Sequence, residues 1–163
     1  MYASRLVRAH KFVVGMGIKD LAGSQAAIKK TINFAQPGDH ITALHIPRMV
    51  PEMMLSSMAD PGEASEDTID MLAGMPAKTA LRLQSMIEET AKEEMQRSGR
   101  DIPIKFEVAS PVTNVKPALL EACKAEKADF LVLGAGVGGN GSLPLYAISQ
   151  AKGLTVCVVS VAE

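Results

Sequence analysis

Five short apolar stretches, separated by helical patterns, constrain the fold of this chain more than any other feature. The stretches are residues 12–16, 41–46, 104–109, 130–133 and 154–161. Strands that alternate with helices are typical of βαβ units, whose crossover connections produce a parallel sheet. The sequence therefore predicts one doubly wound α/β domain over residues 1–163. With 47% hydrophobic residues, the chain can bury a core of that kind.

The helical patterns have recognisable ends. Ser24 is a good N-cap and predicts the start of the first helix, which Pro37 and Gly38 end. The other predicted helices cover residues 77–98, the segment after Asn114, and the segment from Ser142 to about Gly153, whose Leu145 and Ile148 are expected to face inward.

The five strands are not equivalent. Residues 104–108 alternate strictly between apolar and charged, which predicts a strand at an edge of the sheet. Residues 130–133 are apolar throughout, which predicts an internal strand. Residues 156–159 are equally apolar although they belong to the last strand.

The segment 47–76 resists assignment beyond a short helix over 67–73. It contains six of the ten methionines and an acidic cluster. Two interpretations stay open. The segment is either an adaptable lid or partner-binding surface, as methionine side chains allow, or an ordinary excursion that packs its methionines on the domain.

A glycine-rich run over residues 134–142 is the strongest local signal for a binding site. It follows the predicted fourth strand and leads into a helix. Ligands of open α/β sheets bind beyond the carboxyl ends of strands, and helix N-termini offer unpaired amides to anions. The run therefore predicts a phosphate or carboxylate site. The alternative is a tight strand-to-helix connection that binds nothing.

Known catalytic and nucleotide motifs do not fit. Gly134, Gly136 and Gly139 match GxGxxG, but a dinucleotide fold needs that fingerprint on an early strand. A P-loop would need a lysine that this run lacks. His40 and His45 lie five apart in one strand, on opposite faces, so they cannot share a metal ion. No metal site and no catalytic residues are predicted, and an enzyme is the third-ranked hypothesis, with weak ATP hydrolysis left open.

Composition argues against several classes of partner. The net charge is −1 and aromatic residues make up 4%, which disfavours nucleic-acid binding. No apolar run approaches the roughly 20 residues that span a bilayer. Cys123 and Cys157 are expected to be reduced and to be buried as small apolar residues. The predicted compartment is the cytoplasm, because the basic start of the chain is too short to indicate a transit peptide.

Several strings, taken in order, resemble the universal stress protein family. They are Lys11 to Gly17, Ser24 to Ala27, Pro37 to Ile46, Ala128 to Gly134, Gly141-Ser142, and Thr155 to Val159. The resemblance covers nearly the whole chain. It implies a five-stranded, Rossmann-like parallel sheet of order 3-2-1-4-5. It also implies a homodimer through the last strand, Thr155 to Val161, and in one branch of the family ATP or another adenine nucleotide, with Mg²⁺ accompanying it.

The nucleotide site departs from the family pattern in two places. ATP-binding members have an aspartate after the first strand, where this chain has Gly17, and the loop between Gly134 and Gly141 is too short for their spacing. The main hypothesis is a dimeric, non-catalytic stress-response protein that binds an adenine nucleotide. The rival is a member that has lost nucleotide binding and docks a protein through segment 47–76. The candidate binding residues are Met16, Gly17, Ile46, Leu133, Gly134, Gly136, Gly138, Gly139, Asn140, Gly141, Ser142 and Leu143.

Overall fold

The computed structural model describes residues 8–17, 19–49, 66–135 and 141–161. These residues form five strands and four helices. In chain order they are β1 (Lys11–Met16), α1 (Leu21–Phe34), β2 (His40–His45), α2 (Glu66–Ser98), β3 (Ile104–Val108), α3 (Val115–Ala125), β4 (Phe130–Ala135), α4 (Ser142–Gln150) and β5 (Thr155–Ser160).

The strands form one parallel sheet with the order β3-β2-β1-β4-β5. This order and the doubly wound α/β class are confirmed. β3 lies at an edge, as its alternating residues predicted, and β4 is internal, as its continuous apolar run predicted. β5 is the opposite edge.

Two apolar cores cover the two faces of the sheet. One joins α1 and α2 to Phe12, Val14 and other strand residues that point to that face. The other joins α3 and α4 to Val13, Leu131 and their neighbours. Because successive strand residues point to opposite faces, the apolar strands β1 and β4 supply both cores.

Two predictions about helices are wrong. α1 begins at Leu21 rather than after Ser24, because the Asp20 carboxylate is the N-cap and accepts the Gly23 amide at 2.9 Å. In α4, Leu145 is 55% and Ile148 59% exposed, while the buried residues are Pro144 and Ala147. α4 has nine residues and is apolar on nearly every side, so its periodicity does not define an inward face.

α2 is longer than the sequence predicted. It runs without interruption from residue 66 to residue 98, and so includes the short helix that was expected over 67–73. The rest of the methionine-rich segment, residues 50–65, lies outside the described residues, and both interpretations of that segment stay predictions.

Carboxylates close the amino end of the sheet. Asp39, which is 2% exposed, accepts the His10 amide at 2.7 Å and the Gln36 amide at 2.8 Å. Asp129 accepts the Lys11 amide at 3.0 Å and pairs with Arg8. Two acidic side chains at the starts of β2 and β4 thus fix the start of β1 between them.

Two further expectations concern single side chains and the membrane. Cys123 is buried as predicted, and this burial raises the pKa of its thiol to about 11, so it stays protonated at neutral pH. The predicted burial of Cys157 is wrong: it lies on the edge strand β5 and is only partly buried. Within the described ranges, none of the helices is both long and apolar enough to traverse a bilayer.

Candidate functional site

The candidate site lies at the carboxyl end of the sheet, between β1 and β4. The chain runs from β1 outward to β2 and β3, and then crosses to β4 on the other side of β1. A reversal of this kind leaves a crevice between the connections that follow the two central strands, and open α/β sheets bind their ligands there. The two connections are the β1–α1 junction and the β4–α4 junction.

Ser24 fixes the β1–α1 junction. Its hydroxyl accepts the Gly17 amide and donates to the Gly17 carbonyl, both at 3.0 Å. Ser24 is buried, so these bonds are shielded from water. Both backbone polar groups of Gly17 are therefore used within the protein, and Gly17 can offer a ligand only the space above its Cα.

That space is open. Apart from its chain neighbours, a Cβ added to Gly17 would meet no atom of the described residues within 4 Å, and the residue is exposed. Asp20, three residues later, does not replace the carboxylate that the family resemblance places at position 17. Its Oδ1 is engaged with the Gly23 amide as the cap of α1. The β1–α1 junction is thus closed by its own side chains, but it leaves room beside the crevice.

Gly134 has a structural role. A Cβ added there would collide with the backbone of Gly23, coming within 2.8 Å of its Cα and closer still to its carbonyl group. Gly134 therefore lets the first turn of α1 lie directly against β4. This contact explains the first glycine of the run by packing, without any ligand.

The β4–α4 junction differs because the N-terminus of α4 has no side-chain cap. Gly141 is the N-cap residue and has no side chain to accept a hydrogen bond. The third helical residue is Pro144, which has no amide hydrogen, so the first-turn donors are the amides of Ser142 and Leu143. Both lie at the positive end of the helix dipole, an environment that favours an anion.

The other predicted site residues fall into three groups. Met16, Ile46 and Leu133 lie at this end of the sheet, but their side chains are buried, Met16 in the core under α1 and the other two in the opposite core. Gly141 and Ser142 are exposed, and Leu143 is partly buried. Gly136, Gly138, Gly139 and Asn140 lie outside the described residues.

His45 is held by the same end of the sheet. Its Nδ1 lies 3.1 Å from the Met16 carbonyl oxygen, so in the neutral ring this nitrogen carries the proton and donates it. The side chain is buried, and its hydrogen bond to the Met16 carbonyl joins β2 to β1.

The described residues at this end do not include a metal-ligand cluster, because no three His, Cys, Asp or Glu side chains among them converge as a metal site would require. Two cavities, of about 390 and 520 Å³, lie beside β3. The candidate site is an open crevice whose described polar groups include the first amides of α4 and the exposed Ser142 side chain.

Sequence reasoning missed the bonds that close the β1–α1 junction. The pattern of Asp20 followed by Gly23 and Ser24 contains the signal, because an aspartate three residues before a helical amide is a common cap. The sequence pattern predicts Ser24 as the N-cap because serine is a common cap residue. No local pattern indicates the hydrogen bonds that Ser24 makes to Gly17, which depend on tertiary contact.

Comparisons with known proteins identify the fold. No family model matches this chain, and no curated protein matches it in sequence. Solved structures do match. A universal stress protein family protein from Arabidopsis thaliana with AMP bound has a TM-score of 0.64 at 16% identity, covering 94% of this chain and 92% of that one.

Two further structures agree. The universal stress protein UspA from Lactobacillus plantarum has a TM-score of 0.62 at 18% identity, covering 93% of this chain and 98% of its own. A universal stress protein from Archaeoglobus fulgidus in complex with dAMP has a TM-score of 0.54 at 15% identity, covering 92% and 97%. The chain therefore has the fold of the universal stress proteins, and the resemblance in its sequence is confirmed at that level.

Proposed function

We propose that this chain is a divergent universal stress protein that binds an adenine nucleotide in the crevice between β1 and β4, without catalysing a reaction. The nucleotide phosphate is bound by the amides of Ser142 and Leu143, and the adenosine lies toward Gly17. The protein works in the cytoplasm, where free thiols such as those of Cys123 and Cys157 stay reduced.

The uncapped N-terminus of α4 supports this proposal most. The chain caps α1 with Asp20 and α3 with Asn114, whose side chain accepts the Lys116 amide at 3.2 Å. α4 alone among these three helices begins without such a bond. The first amides of α4, which none of the described side chains accepts, lie at the reversal point of the sheet, in a fold whose relatives from Arabidopsis thaliana and Archaeoglobus fulgidus were solved with AMP and dAMP.

The test measures nucleotide binding directly. Purified protein is denatured and any released nucleotide is identified by chromatography; AMP and ATP are then titrated separately by calorimetry. Gly141→Asp places a carboxylate over the α4 amides, and we expect affinity to fall at least about tenfold, since a hydrogen bond to a charged group contributes about 1.5–3 kcal/mol. Gly141→Ala is the matched control, because its Cβ would lie 3.5 Å from the Pro144 Cδ, an ordinary contact.

A second variant changes the side of the site that follows β1. Gly17→Asp restores the carboxylate that the family resemblance assigns to this position, and the open space above Gly17 accommodates it. We expect this variant to bind AMP about tenfold more tightly, since it adds a hydrogen bond to a charged group. If neither AMP nor ATP binds and none is released, the proposal is wrong, and the interaction-module hypothesis for segment 47–76 gains.

The proposed protein is a homodimer through β5. Val158, on the edge strand, is 40% exposed and is in register with Leu133, so it points to the face that α4 covers. Leu145 and Ile148, the exposed apolar residues of α4, lie on the same side of the sheet. Pairing with β5 of a second copy would cover the edge and remove this apolar surface from water.

Sedimentation velocity tests this dimer. Val158→Lys places a charge in the proposed interface, and we expect it to convert the dimer into a monomer. Lys105→Glu on the opposite edge strand is the control for a charge change and leaves the dimer intact. A wild-type protein that sediments as a monomer at every concentration contradicts the proposed dimer.

A further inference from the structure

β3 is an edge strand whose outward backbone groups are free of described partners. The Pro103 carbonyl accepts the Ile41 amide and the Ala109 amide donates to the His45 carbonyl, so the odd-numbered residues of this segment bond to β2. Because backbone groups alternate in direction along a strand, the amides and carbonyls of the even-numbered residues point away from the sheet. Those residues are Ile104, Phe106 and Val108, and none of the other described residues pairs with them.

A groove follows this edge on each face of the sheet. On the face of α3, a cavity of about 390 Å³ is bordered by Glu107, Val108 and Ala109 and extends over β2 toward Val13 of β1. On the face of α2, a cavity of about 520 Å³ has a floor that includes Ile104 and Phe106. An added strand would direct alternate side chains to the two faces of the sheet, next to the β3 residues that border the two grooves, which is how sheet edges bind extended peptides.

The charged residues that line these grooves are all acidic. They are Glu107 and Glu126 in the α3-side groove, and Glu88 and Asp101 in the α2-side groove. Lys105 lies on the same strand, pairs with Glu107 and also lies close enough to Glu126 to interact with its charge. Four carboxylates and one lysine thus border the two grooves, and this excess of negative charge favours a basic partner.

We propose that β3 is a docking edge for an extended segment of a partner protein in which apolar residues alternate with lysine or arginine. The segment adds to the sheet as a further strand, its main chain bonding to residues 104, 106 and 108. A second copy of this chain suits the edge less well, because residues 104–108 contain one lysine and one glutamate and bring no net positive charge. The proposal is independent of nucleotide binding.

The experiment uses a defined probe. Fluorescence anisotropy measures binding of the full chain to a labelled peptide of alternating lysine and valine, with a peptide of alternating glutamate and valine as the control. We expect saturable binding of the lysine peptide alone. Val108→Pro removes an outward amide without touching the bonds to β2, and proline is tolerated at such edge positions. It should weaken binding about tenfold, because one lost hydrogen bond is worth about 1 kcal/mol and the ring also obstructs pairing.

A charge reversal provides a second, independent variant. Glu88 lines the α2-side groove, whereas Glu89, the next residue on α2, does not. The two variants are Glu88→Lys and, as the control, Glu89→Lys. We expect Glu88→Lys to weaken binding severalfold and Glu89→Lys to leave it unchanged. Failure of the lysine peptide to bind overturns the proposal. So does binding that neither Val108→Pro nor Glu88→Lys affects, which would indicate general attraction to an acidic surface. Self-association that Val108→Pro abolishes would assign the edge to a second copy and overturn it as well.

Discussion

At the amino end of the sheet, carboxylates of the chain accept the amides at the start of the central strand, whereas at the carboxyl end none of the described side chains accepts the first amides of α4. Asp39 and Asp129 hold the His10 and Lys11 amides at the first end. At the second end, Gly141 leaves the amides of Ser142 and Leu143 without a side-chain cap. Both ends present donors, but among the described residues only the amino end provides side-chain acceptors for them.

The difference separates groups that stabilise the fold from groups that are available to a ligand. A buried carboxylate that accepts two amides cannot be removed without leaving those amides unpaired. An exposed helix start without a cap lowers the stability of the protein only a little, because water accepts the hydrogen bonds of its amides until an anion replaces the water. The two ends should therefore respond differently to substitution.

The largest expected effect is at the amino end. Asp39→Ala removes the acceptor of two amides in a site that is 2% exposed, and we expect a loss of about 2–4 kcal/mol in the free energy of unfolding. Urea denaturation followed by circular dichroism measures it. Asp39→Asn, which keeps one carbonyl oxygen as an acceptor, should lose less free energy of unfolding than Asp39→Ala. An alanine variant as stable as the wild type would show that the amides find water instead.

A smaller loss in the free energy of unfolding is expected from Gly134→Ala at the carboxyl end. Its Cβ collides with the Gly23 backbone, so α1 must shift, and overpacking of this kind costs about 1–3 kcal/mol. Gly17→Ala is the matched control, because its Cβ enters open space, and we expect a change within about 0.5 kcal/mol. Equal losses of stability in the two variants would contradict the conclusion that Gly134 is required for packing against α1 and Gly17 is not.

Acid should weaken the amino end selectively. Burial by itself would raise the pKa of Asp39, but hydrogen bonds from the Gln36 and His10 amides, together with the His10 imidazole, outweigh it and hold the pKa below its ordinary value. A depressed pKa contributes stability that is present above the unfolded-state pKa, near 4, and that is lost as the pH falls through the folded-state pKa. The free energy of unfolding, measured from pH 6 to pH 2, should therefore fall less steeply with decreasing pH for Asp39→Asn than for the wild type. Parallel curves would show that Asp39 does not contribute.

The outline of the fold could be predicted from the sequence because local patterns encode it. The alternation of residues 104–108 placed β3 at an edge, and the apolar run 130–133 placed β4 inside the sheet. The same kind of pattern failed for Leu145 and Ile148, since a nine-residue helix with apolar residues on most sides has no unique inward face. It also failed at the start of α1, where Asp20 and Ser24 are both chemically suitable caps.

The sequence by itself determined the order of elements, the core residues of the central strands, and the presence of a glycine-rich connection at the carboxyl end of β4. Only the tertiary structure decided what individual residues of that end do. Gly134 is required by the α1 backbone, Gly17 is bonded to Ser24, and Gly141 leaves amides free, although all three are glycines in similar surroundings in the sequence. The physical reason is that a glycine's role depends on which atoms approach it, and those atoms belong to segments distant in the chain or to a ligand.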